Sequence, residues 1–567
     1  METVVDAIAG RRGGPGTLTA PDADGSMRTV SWFEVHERAR RLAAVLRGHG
    51  IGTGSRVGLL ADTSIDLVSV LQGVWLAGAA VTVLPLPVHH AAEGAAYAAQ
   101  LDRMFADARL HLVVVDTAAT RQTGYGPLRT VGPILANRGP VYDLADLVAR
   151  ARSTAPATPA SPAPDDLAIL QYTSGSTRDP RGVAVTHANL AANLAGIRAA
   201  TRHERWHGCS LTWLPLYHDM GLIGYLALQM SCGCPLVMQS PATFAARPAS
   251  WLEAIAAYGA TSTAAPNFAW ALATRLLESR PAADPATQLG SLRFALSGGE
   301  PVDPAVVERL LAVGRRHGLD PAAVTCGYGL AEATLAVTFP PPGSGLRVDV
   351  VDPVALEHTG RASPARDTGR ALIRVGRPVP GTDVRVVDRL SGAELTERHV
   401  GHVEVRGPGV VRGYFGEPPA PADRWLRTGD LGYLADGDLV ICGREKDVLF
   451  AAGRNVFPQD VEAAAAQTRG VRPGGVVAFG VPGGEVGDRL VVAVESRYWA
   501  DPETAGAIRS AVSGAVAAEV GLTPYAVLVL PPHRLCRTSS GKLRRAESRR
   551  QHLAGVLTTR PLLEARR

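Results

Sequence analysis

The sequence predicts an α/β fold with a large, multi-sheet N-terminal domain and a small α+β C-terminal domain. Short Val- and Leu-rich runs alternate with Ala-, Leu- and Arg-rich helical patterns up to Gly443. This alternation is typical of strands that are joined by crossover helices in mostly parallel sheets. A chain of 567 residues is also too long for one ordinary hydrophobic core. We therefore expect domains at residues 1–445 and 446–567.

The pattern changes in the last part of the chain. Three strand patterns, VVAFGVP, RLVVAVES and AVLVLPP, flank one helical pattern, PETAGAIRSAVSGAVAAEVG. A basic segment, RLCRTSSGKLRRAESRR, follows them, and runs of this kind are usually solvated. Further upstream, STAPATPASPAPDD at 153–166 has no periodicity and reads as a connector.

Composition excludes several classes of protein. The hydrophobic content of 46% fits a globular protein, and the net charge of +5 is too small to favour nucleic-acid binding. The segment 67–84 is uncharged and just long enough to span a membrane. Its two glycines and its β-branched end, Val81-Thr82-Val83, instead favour a buried helix, a turn and a buried strand. We expect no membrane span, no signal peptide and a cytoplasmic location.

The six cysteines lie scattered over the chain. Cys232-Gly233-Cys234 has no second ligand pair at the spacing of a zinc site. We therefore expect buried free thiols in a reducing cytosol.

A loop rich in hydroxyl groups and glycine, QYTSGSTRDPRGV, occupies residues 171–183. Strand patterns flank it, and Thr186 is predicted to cap the following helix. Its hydroxyls, backbone N–H groups and arginine suit a phosphate, although no Gly-Lys-Ser/Thr follows as in a Walker loop. From these residues alone, a flexible surface linker is an equal alternative. The candidate phosphate-binding residues are Thr173, Ser174, Gly175, Ser176, Thr177 and Arg181.

This loop resembles the signature motif of adenylate-forming enzymes, with Arg178 where Gly is usual and Arg181 where Lys is usual. Further segments follow in the family's order. They resemble its adenine and magnesium motif, its ribose motif, its hinge and its catalytic-lysine motif. These segments are CGYGLAEAT (326–334), LRTGDLGYL (426–434), GREKDVLFAAGRNVFPQDVE (443–462) and RTSSGKLRR (537–545).

Within that superfamily, the chain most resembles the fatty acyl-AMP ligases. WLPLYHDMGLIG (213–224) is similar to their acyl-pocket motif, and APNFAWAL (265–272) matches their variant. The long stretch from Glu332 to Gly376 resembles the extra segment of this family, which is associated with failure to use CoA.

The resemblance implies a two-step reaction that needs ATP and Mg²⁺, with a small C-terminal domain that is mobile. A fatty or related carboxylic acid is converted to an acyl-adenylate. Its acyl group then passes to the phosphopantetheine of an acyl carrier protein, or of a carrier domain in polyketide or lipopeptide biosynthesis. An acyl-CoA ligase of the same fold and a catalytically silent binding protein are the alternatives. The acyl chain and the carrier cannot be named from the sequence.

The resemblance also implies roles for single residues. Glu332 is the expected Mg²⁺ ligand, or else an exposed helix-start Glu. His218 is expected where the acyl carboxylate meets ATP, or else is a structural histidine. Asp430 is expected to bind the ribose, or else is a turn residue. Arg444 is expected at the ribose or phosphates. The candidates at the adenine are Gly298, Gly299, Glu300, Gly327, Tyr328 and Gly329.

Lysine is almost absent from the chain. Of 58 basic Lys and Arg residues only two are lysines, Lys446 in the hinge motif and Lys542 in the terminal motif. A compact ammonium can enter a crowded site between a carboxylate and a phosphate, where a planar guanidinium is too wide. This pattern predicts a catalytic role for Lys542 and agrees with the resemblance, which also places Lys446 at the nucleotide.

Overall fold

The computed structural model describes residues 3–11, 13–86, 94–117, 140–172, 181–206, 208–366, 369–451, 454–483, 488–537 and 543–557. The chain divides into two compact units. Unit 1 comprises Met1–Arg347, Val375–Val384 and Val405–Leu426, and unit 2 comprises Val348–Arg374, Arg385–Glu404 and Arg427–Arg567. The expected division between residues 445 and 446 stays a prediction.

Unit 1 contains two mostly parallel sheets, as the alternating sequence pattern predicts. In spatial order, the first consists of Val324–Cys326, Phe294–Ser297, Ser262–Ala265, Ser210–Thr212, Leu236–Met238, Thr17–Pro21 and Met27–Ser31. The second consists of Val141–Asp143, Leu112–Val115, Arg56–Leu60, Ala80–Val83, Leu167–Tyr172 and Gly182–Thr186. In each sheet the last pair is antiparallel.

Helices cover these sheets and join their strands. The α- and π-helices of unit 1 in the described residues are Val4–Arg11, Trp32–Gly48, Ile65–Ala77, Gly94–Ala108, Leu144–Arg152, His187–Thr201, His203–Trp206, Asp219–Gly221, Leu222–Ala227, Leu228–Cys232, Pro241–Ala246, Ala249–Tyr258, Asn267–Glu278 and Pro304–Gly314. Ile65–Ala77 is buried almost throughout and is followed by the buried strand Ala80–Val83. This confirms the predicted helix, turn and strand, and no helix in the described residues is long and apolar enough to cross a membrane.

Unit 2 is built mainly from antiparallel strands. Val348–Val351 pairs with Arg370–Pro378, Leu426–Ala435 with Asp438–Arg444, and Leu449–Ala451 with Arg454–Val456. Its last sheet has the order Val476–Pro482, Asp488–Glu495 and Ala526–Leu530. The helices are Pro353–Thr359, Pro458–Ala466, Pro502–Val520 and Arg545–Leu553. The predicted strands and the long helix of the C-terminal region are confirmed.

Unit 1 also contains the antiparallel pair Tyr328–Gly329 and Ala336–Phe339. Asp383–Val387 and Gly401–Arg406 are neighbouring strands further along the chain.

Two expectations need correction. The basic C-terminal segment is not simply a solvated end, because it contains the helix Arg545–Leu553 and the side chain of Arg545 is only 17% exposed. All six cysteines are free as expected, but only Cys326 and Cys442 are buried. The other four are half-buried.

Candidate functional site

The phosphate-loop candidate connects two antiparallel strands of unit 1. Leu167–Tyr172 pairs with Gly182–Thr186 in a register that sets Tyr172 opposite Gly182. Thr186 caps the next helix through a reciprocal pair of hydrogen bonds with Asn189, as the sequence predicts. Both ends of the loop are therefore fixed. Thr173, Ser174, Gly175, Ser176 and Thr177 lie outside the described residues.

Arg181 lies at the end of this loop and is already held by two neighbours. Its guanidinium lies 3.7 Å from the centre of the Tyr414 ring and forms an ion pair with Glu417. The Arg181 side chain is 49% exposed, so its charge remains accessible to an anion. Stacking on the ring fixes the direction of the guanidinium without removing its charge.

Tyr414 connects Arg181 to Glu332. The Tyr414 hydroxyl donates a hydrogen bond of 2.8 Å to Oε1 of the Glu332 carboxylate. Burial, together with the negative charge of Glu332, raises the pKa of Tyr414 to about 12. The phenol therefore keeps its proton and acts as the donor. Glu332 and Arg181 therefore contact the same tyrosine, Tyr414. No pattern in the sequence predicts this contact.

The backbone around Glu332 is anchored on both sides. The Glu332 carbonyl accepts a hydrogen bond of 2.9 Å from the amide of Val411. Asn193 donates to the carbonyls of Ala333 and Ala336 and accepts from the Ala336 amide. These bonds hold the short turn that presents the Glu332 carboxylate. A carboxylate with one hydrogen-bonded oxygen suits a hydrated Mg²⁺, which takes one or two carboxylates alongside phosphate oxygens and waters.

The glycines beside Tyr328 have a packing role. A Cβ at Gly329 would lie 1.9 Å from the Leu335 carbonyl oxygen, and one at Gly327 would lie 2.7 Å from the Phe339 ring. Both positions therefore need glycine for the turn into Ala336–Phe339 to close. Tyr328 itself is half-buried and packs against an apolar cluster of unit 1 that includes Val337.

The segment SGGEP, residues 297–301, lies next to CGYG, residues 326–329. Phe294–Ser297 and Val324–Cys326 are parallel neighbours, and a Cβ at Gly298 would lie 3.3 Å from the Gly327 carbonyl oxygen. Gly299 has a φ of +77°, which favours glycine. Glu300 accepts a hydrogen bond of 3.0 Å from the Phe268 amide in the first turn of Asn267–Glu278. Part of its role is therefore to satisfy a helix N-terminus.

His218 precedes the short helix Asp219–Gly221. This helix follows the strand Ser210–Thr212, which belongs to the same sheet as Phe294–Ser297 and Val324–Cys326. Its Nδ1 lies 2.6 Å from Oδ1 of Asp219, which also accepts from the Met220 amide at 2.7 Å. The Met220 amide also donates to His218 Nδ1 at 3.3 Å, so this nitrogen caps the short helix Asp219–Gly221. Gln171 donates a hydrogen bond of 2.7 Å to the Tyr217 carbonyl, so the YHDMG segment is fastened to the strand that leads into the phosphate loop. Gln171 is the first residue of QYTSGSTRDPRGV, and no pattern in the sequence predicts this contact.

Asp430 and Arg444 form a pair within unit 2. They face each other across the hairpin, with Arg444 Nε 3.3 Å from Asp430 Oδ1. Asp430 is only 9% exposed whereas Arg444 is 62% exposed. Thr428 accepts from the Asp430 amide at 3.1 Å and donates to the Val403 carbonyl at 2.9 Å. A fixed carboxylate beside an exposed cation can bind a pair of hydroxyl groups.

The two lysines differ in what the structure shows. Lys446 is exposed in the turn Glu445–Asp447 of unit 2, and Lys542 lies outside the described residues. Arg537 and Leu543 lie on either side of Lys542 in the sequence, and they form an antiparallel bridge with each other. Within unit 2, Arg545 contacts both Glu462 and Asp447 of the hinge motif.

Arg545 is a structural residue that the sequence analysis did not identify. Burial opposes its charge, but the carboxylates of Glu462 and Asp447 outweigh burial and raise the pKa of Arg545. Glu462 also accepts a hydrogen bond of 2.9 Å from the Ala478 amide. The hinge and terminal motifs are therefore joined through one buried guanidinium.

Comparison with known proteins identifies relatives along nearly the whole chain. A family model described as "AMP-binding enzyme" matches residues 13–415. A Mycobacterium tuberculosis protein named "Putative ligase Rv1013" is 39% identical over 525 residues, covering 91% of this chain and 94% of that protein. The "Long-chain-fatty-acid--AMP ligase FadD26" of Mycobacterium marinum is 34% identical, covering 93% and 91%. A structure from studies of fatty acyl-adenylate ligases of E. coli and L. pneumophila has a TM-score of 0.87 at 30% identity, with 98% of each chain covered.

Proposed function

The chain belongs to the AMP-binding enzyme family, and from this premise we propose that it converts a fatty acid and ATP to acyl-AMP and pyrophosphate. The observation that carries the proposal is the contact of Tyr414 with both Arg181 and Glu332. These contacts join a permanent positive charge to a candidate metal-binding carboxylate, and Arg181 belongs to the segment that resembles the family's phosphate-binding motif. Similarity to a long-chain fatty-acid AMP ligase supports a fatty acid as the substrate.

In the first step, a carboxylate oxygen of the acid attacks the α-phosphorus of ATP. A bond forms between that oxygen and phosphorus, and the bond between the α-phosphorus and the bridging oxygen to the β-phosphate breaks. Pyrophosphate leaves. The added charge is on phosphoryl oxygens, so fixed positive groups and positioning account for most of the acceleration.

Each part of the site has a proposed role. Arg181 and the hydroxyl-rich loop bind the β- and γ-phosphates, and Tyr328 covers the adenine. Asp430 accepts hydrogen bonds from the ribose hydroxyls, and Arg444 adds positive charge next to it. Glu332 would hold Mg²⁺, which when bound would neutralise phosphate charge. The remaining candidates are His218 at the entrance for the carboxylate and Lys542 at the reacting phosphate.

We further propose that the acyl group passes to the phosphopantetheine thiol of a carrier protein and not to CoA. The thiol sulfur attacks the acyl carbonyl carbon, the bond to AMP breaks and the thiol proton is released. Support comes from the segment between Glu332 and Gly376, which resembles the one associated with failure to use CoA. Part of it belongs to unit 2. Glu357 forms an ion pair of 3.1 Å with Arg454, and Arg370 forms one of 2.8 Å with Asp460.

ATP–pyrophosphate exchange across a panel of fatty acids of increasing length tests the first step. We expect exchange that depends on both a fatty acid and Mg²⁺. Exchange with amino acids but with no fatty acid would contradict the proposed substrate class. Incubation of the pre-formed acyl-adenylate with CoA, or with a holo carrier protein, then tests the second step separately.

A further inference from the structure

Unit 1 contains a group of metal-ligating side chains away from the nucleotide motifs. His203, Cys232 and Cys234 each offer one ligand atom, and these three atoms all lie within 4.8 Å of one another. All three side chains are half-buried. Sequence spacing gave no second ligand beside the Cys-Gly-Cys segment, because His203 is 29 positions away and reaches it only through the fold. We propose that these residues form a zinc site.

The donor set and its spacing fit Zn²⁺. Two thiolates and one imidazole are common zinc ligands in proteins. With a zinc–sulfur bond of about 2.3 Å, two sulfurs of a tetrahedral site lie about 3.8 Å apart. Ligand atoms already within 4.8 Å of one another therefore need to move by only about 1 Å. Three protein ligands leave the fourth position to a water molecule.

The backbone of the Cys-Gly-Cys turn is held firmly. Cys232 ends the helix Leu228–Cys232, and Gly233 follows in the left-handed region with a φ of +65°. A Cβ at Gly16 would lie 2.1 Å from the Gly233 carbonyl oxygen, so the N-terminal segment packs directly on the turn. Trp32 donates a hydrogen bond of 2.7 Å from Nε1 to the Cys234 carbonyl. Both sulfurs are thus projected from a backbone with little freedom.

The third ligand is also placed by its backbone. His203 begins the short helix His203–Trp206, directly after Arg202, which has a φ of +49° and ends the helix His187–Thr201. Arginine is uncommon in the left-handed region of φ and ψ. This conformation changes the direction of the backbone just before His203. The positive charge of Arg198 lies close enough to act on the Cys232 thiol. Because Arg198 forms an ion pair with Glu204, its charge is balanced when a cation binds to the two sulfurs.

The site lies before two parallel strands of unit 1, away from the carboxyl end that His218 follows. Ser210–Thr212 and Leu236–Met238 are parallel neighbours, with Ser210 opposite Leu236. Cys234 precedes its strand, whereas His218 follows the carboxyl end of the other strand. Bound zinc therefore lies apart from His218. It ties the end of one helix to the start of another, and it takes no part in adenylation.

Titration of untagged, metal-free protein with Co²⁺ and Zn²⁺ tests the site. We expect one Co²⁺ per chain with a thiolate-to-cobalt charge-transfer band, which one equivalent of Zn²⁺ abolishes. Loss of a group that only supports a metal ligand weakens metal binding by roughly 10–100-fold. Cys232→Ser and Cys234→Ser each remove a ligand, so each should weaken Zn²⁺ binding by more than this. His203→Gln should weaken it similarly and covers the case in which a serine variant fails to fold.

Cys209→Ser is the matched control, because Cys209 is another half-buried thiol that precedes a strand of the same sheet. It should leave the cobalt spectrum and the Zn²⁺ affinity unchanged. Zn²⁺ should raise the thermal midpoint of the wild-type protein and of this control, with ATP–pyrophosphate exchange unchanged. A cobalt spectrum without the charge-transfer band would overturn the proposal. So would a Cys232–Cys234 disulfide in freshly purified protein, or undiminished Zn²⁺ binding by the Cys232→Ser variant.

Discussion

The contact between Tyr414 and Glu332 gives a sharp prediction for the substitution Tyr414→Phe. The change removes one hydroxyl and leaves the aromatic ring that stacks with Arg181. The lost hydrogen bond is 2.8 Å long and has a carboxylate as its acceptor. Because the pKa of Tyr414 is about 12, the hydroxyl is a donor throughout the pH range of any assay.

The size of the effect follows from the type of bond. A hydrogen bond to a charged group contributes about 1.5–3 kcal/mol, and Tyr414 is only half-buried, so the lower value applies. About 1.4 kcal/mol corresponds to tenfold. If the hydroxyl orients Glu332 toward Mg²⁺, kcat/KM for ATP should fall by about 10-fold and the Mg²⁺ concentration for half-maximal activity should rise.

Fatty-acid-dependent ATP–pyrophosphate exchange, measured at several Mg²⁺ concentrations, is the assay. Tyr97→Phe is the matched control, because it removes a hydroxyl of unit 1 that donates a bond of the same length, 2.8 Å, to the Pro85 carbonyl. The control should keep wild-type kinetics. Unchanged Mg²⁺ dependence in Tyr414→Phe, or an equal loss in both variants, would refute the orienting role of this hydroxyl.

Three further predictions concern charge. Arg181→Ala should raise the KM for ATP by about 10-fold with little change in kcat, because a phosphate contact acts in ground and transition states alike. An unaltered KM for ATP in steady-state kinetics would show that Arg181 does not bind the phosphates. Lys542→Ala should lower exchange by about 10²–10³-fold while ATP binding by calorimetry persists, and Lys542→Arg should fail nearly as badly; an active arginine variant would contradict the argument from the two lysines. Burial lowers the pKa of His187 to about 4, so the unfolded chain binds the proton first as pH falls. Stability should decrease by about 3 kcal/mol between pH 6.5 and pH 4 relative to His187→Gln, and parallel denaturation curves for the two proteins would contradict this.

Local patterns in the sequence predicted local structure well. The uncharged stretch 67–84 predicted the buried helix and strand, because a glycine and a run of β-branched residues mark the change between them. The N-cap at Thr186 and the strands of the C-terminal region were predicted for the same reason. Each depends on residues that are neighbours in the chain.

Side-chain contacts between distant segments could not be predicted in this way. Tyr414 lies 82 positions from Glu332, and Arg545 lies 83 positions from Glu462. Nothing in the periodicity of either segment specifies its partner, because the folded backbone determines which side chains meet. The same holds for His203 and the Cys-Gly-Cys turn. The motifs predicted the regions of the candidate site, and the structure shows side-chain contacts between some of these regions.

We propose that this chain forms an acyl-adenylate from a fatty acid and transfers the acyl group to a carrier protein with release of AMP. The most direct measurement follows the products of one reaction mixture that contains ATP, Mg²⁺ and a fatty acid, with CoA and a holo carrier protein both present. Mass spectrometry should detect acyl-AMP, which forms with release of pyrophosphate, and an acylated phosphopantetheine arm on the carrier protein. Little acyl-CoA should form. Rapid and stoichiometric acyl-CoA formation, with the carrier protein left unmodified, would contradict the account.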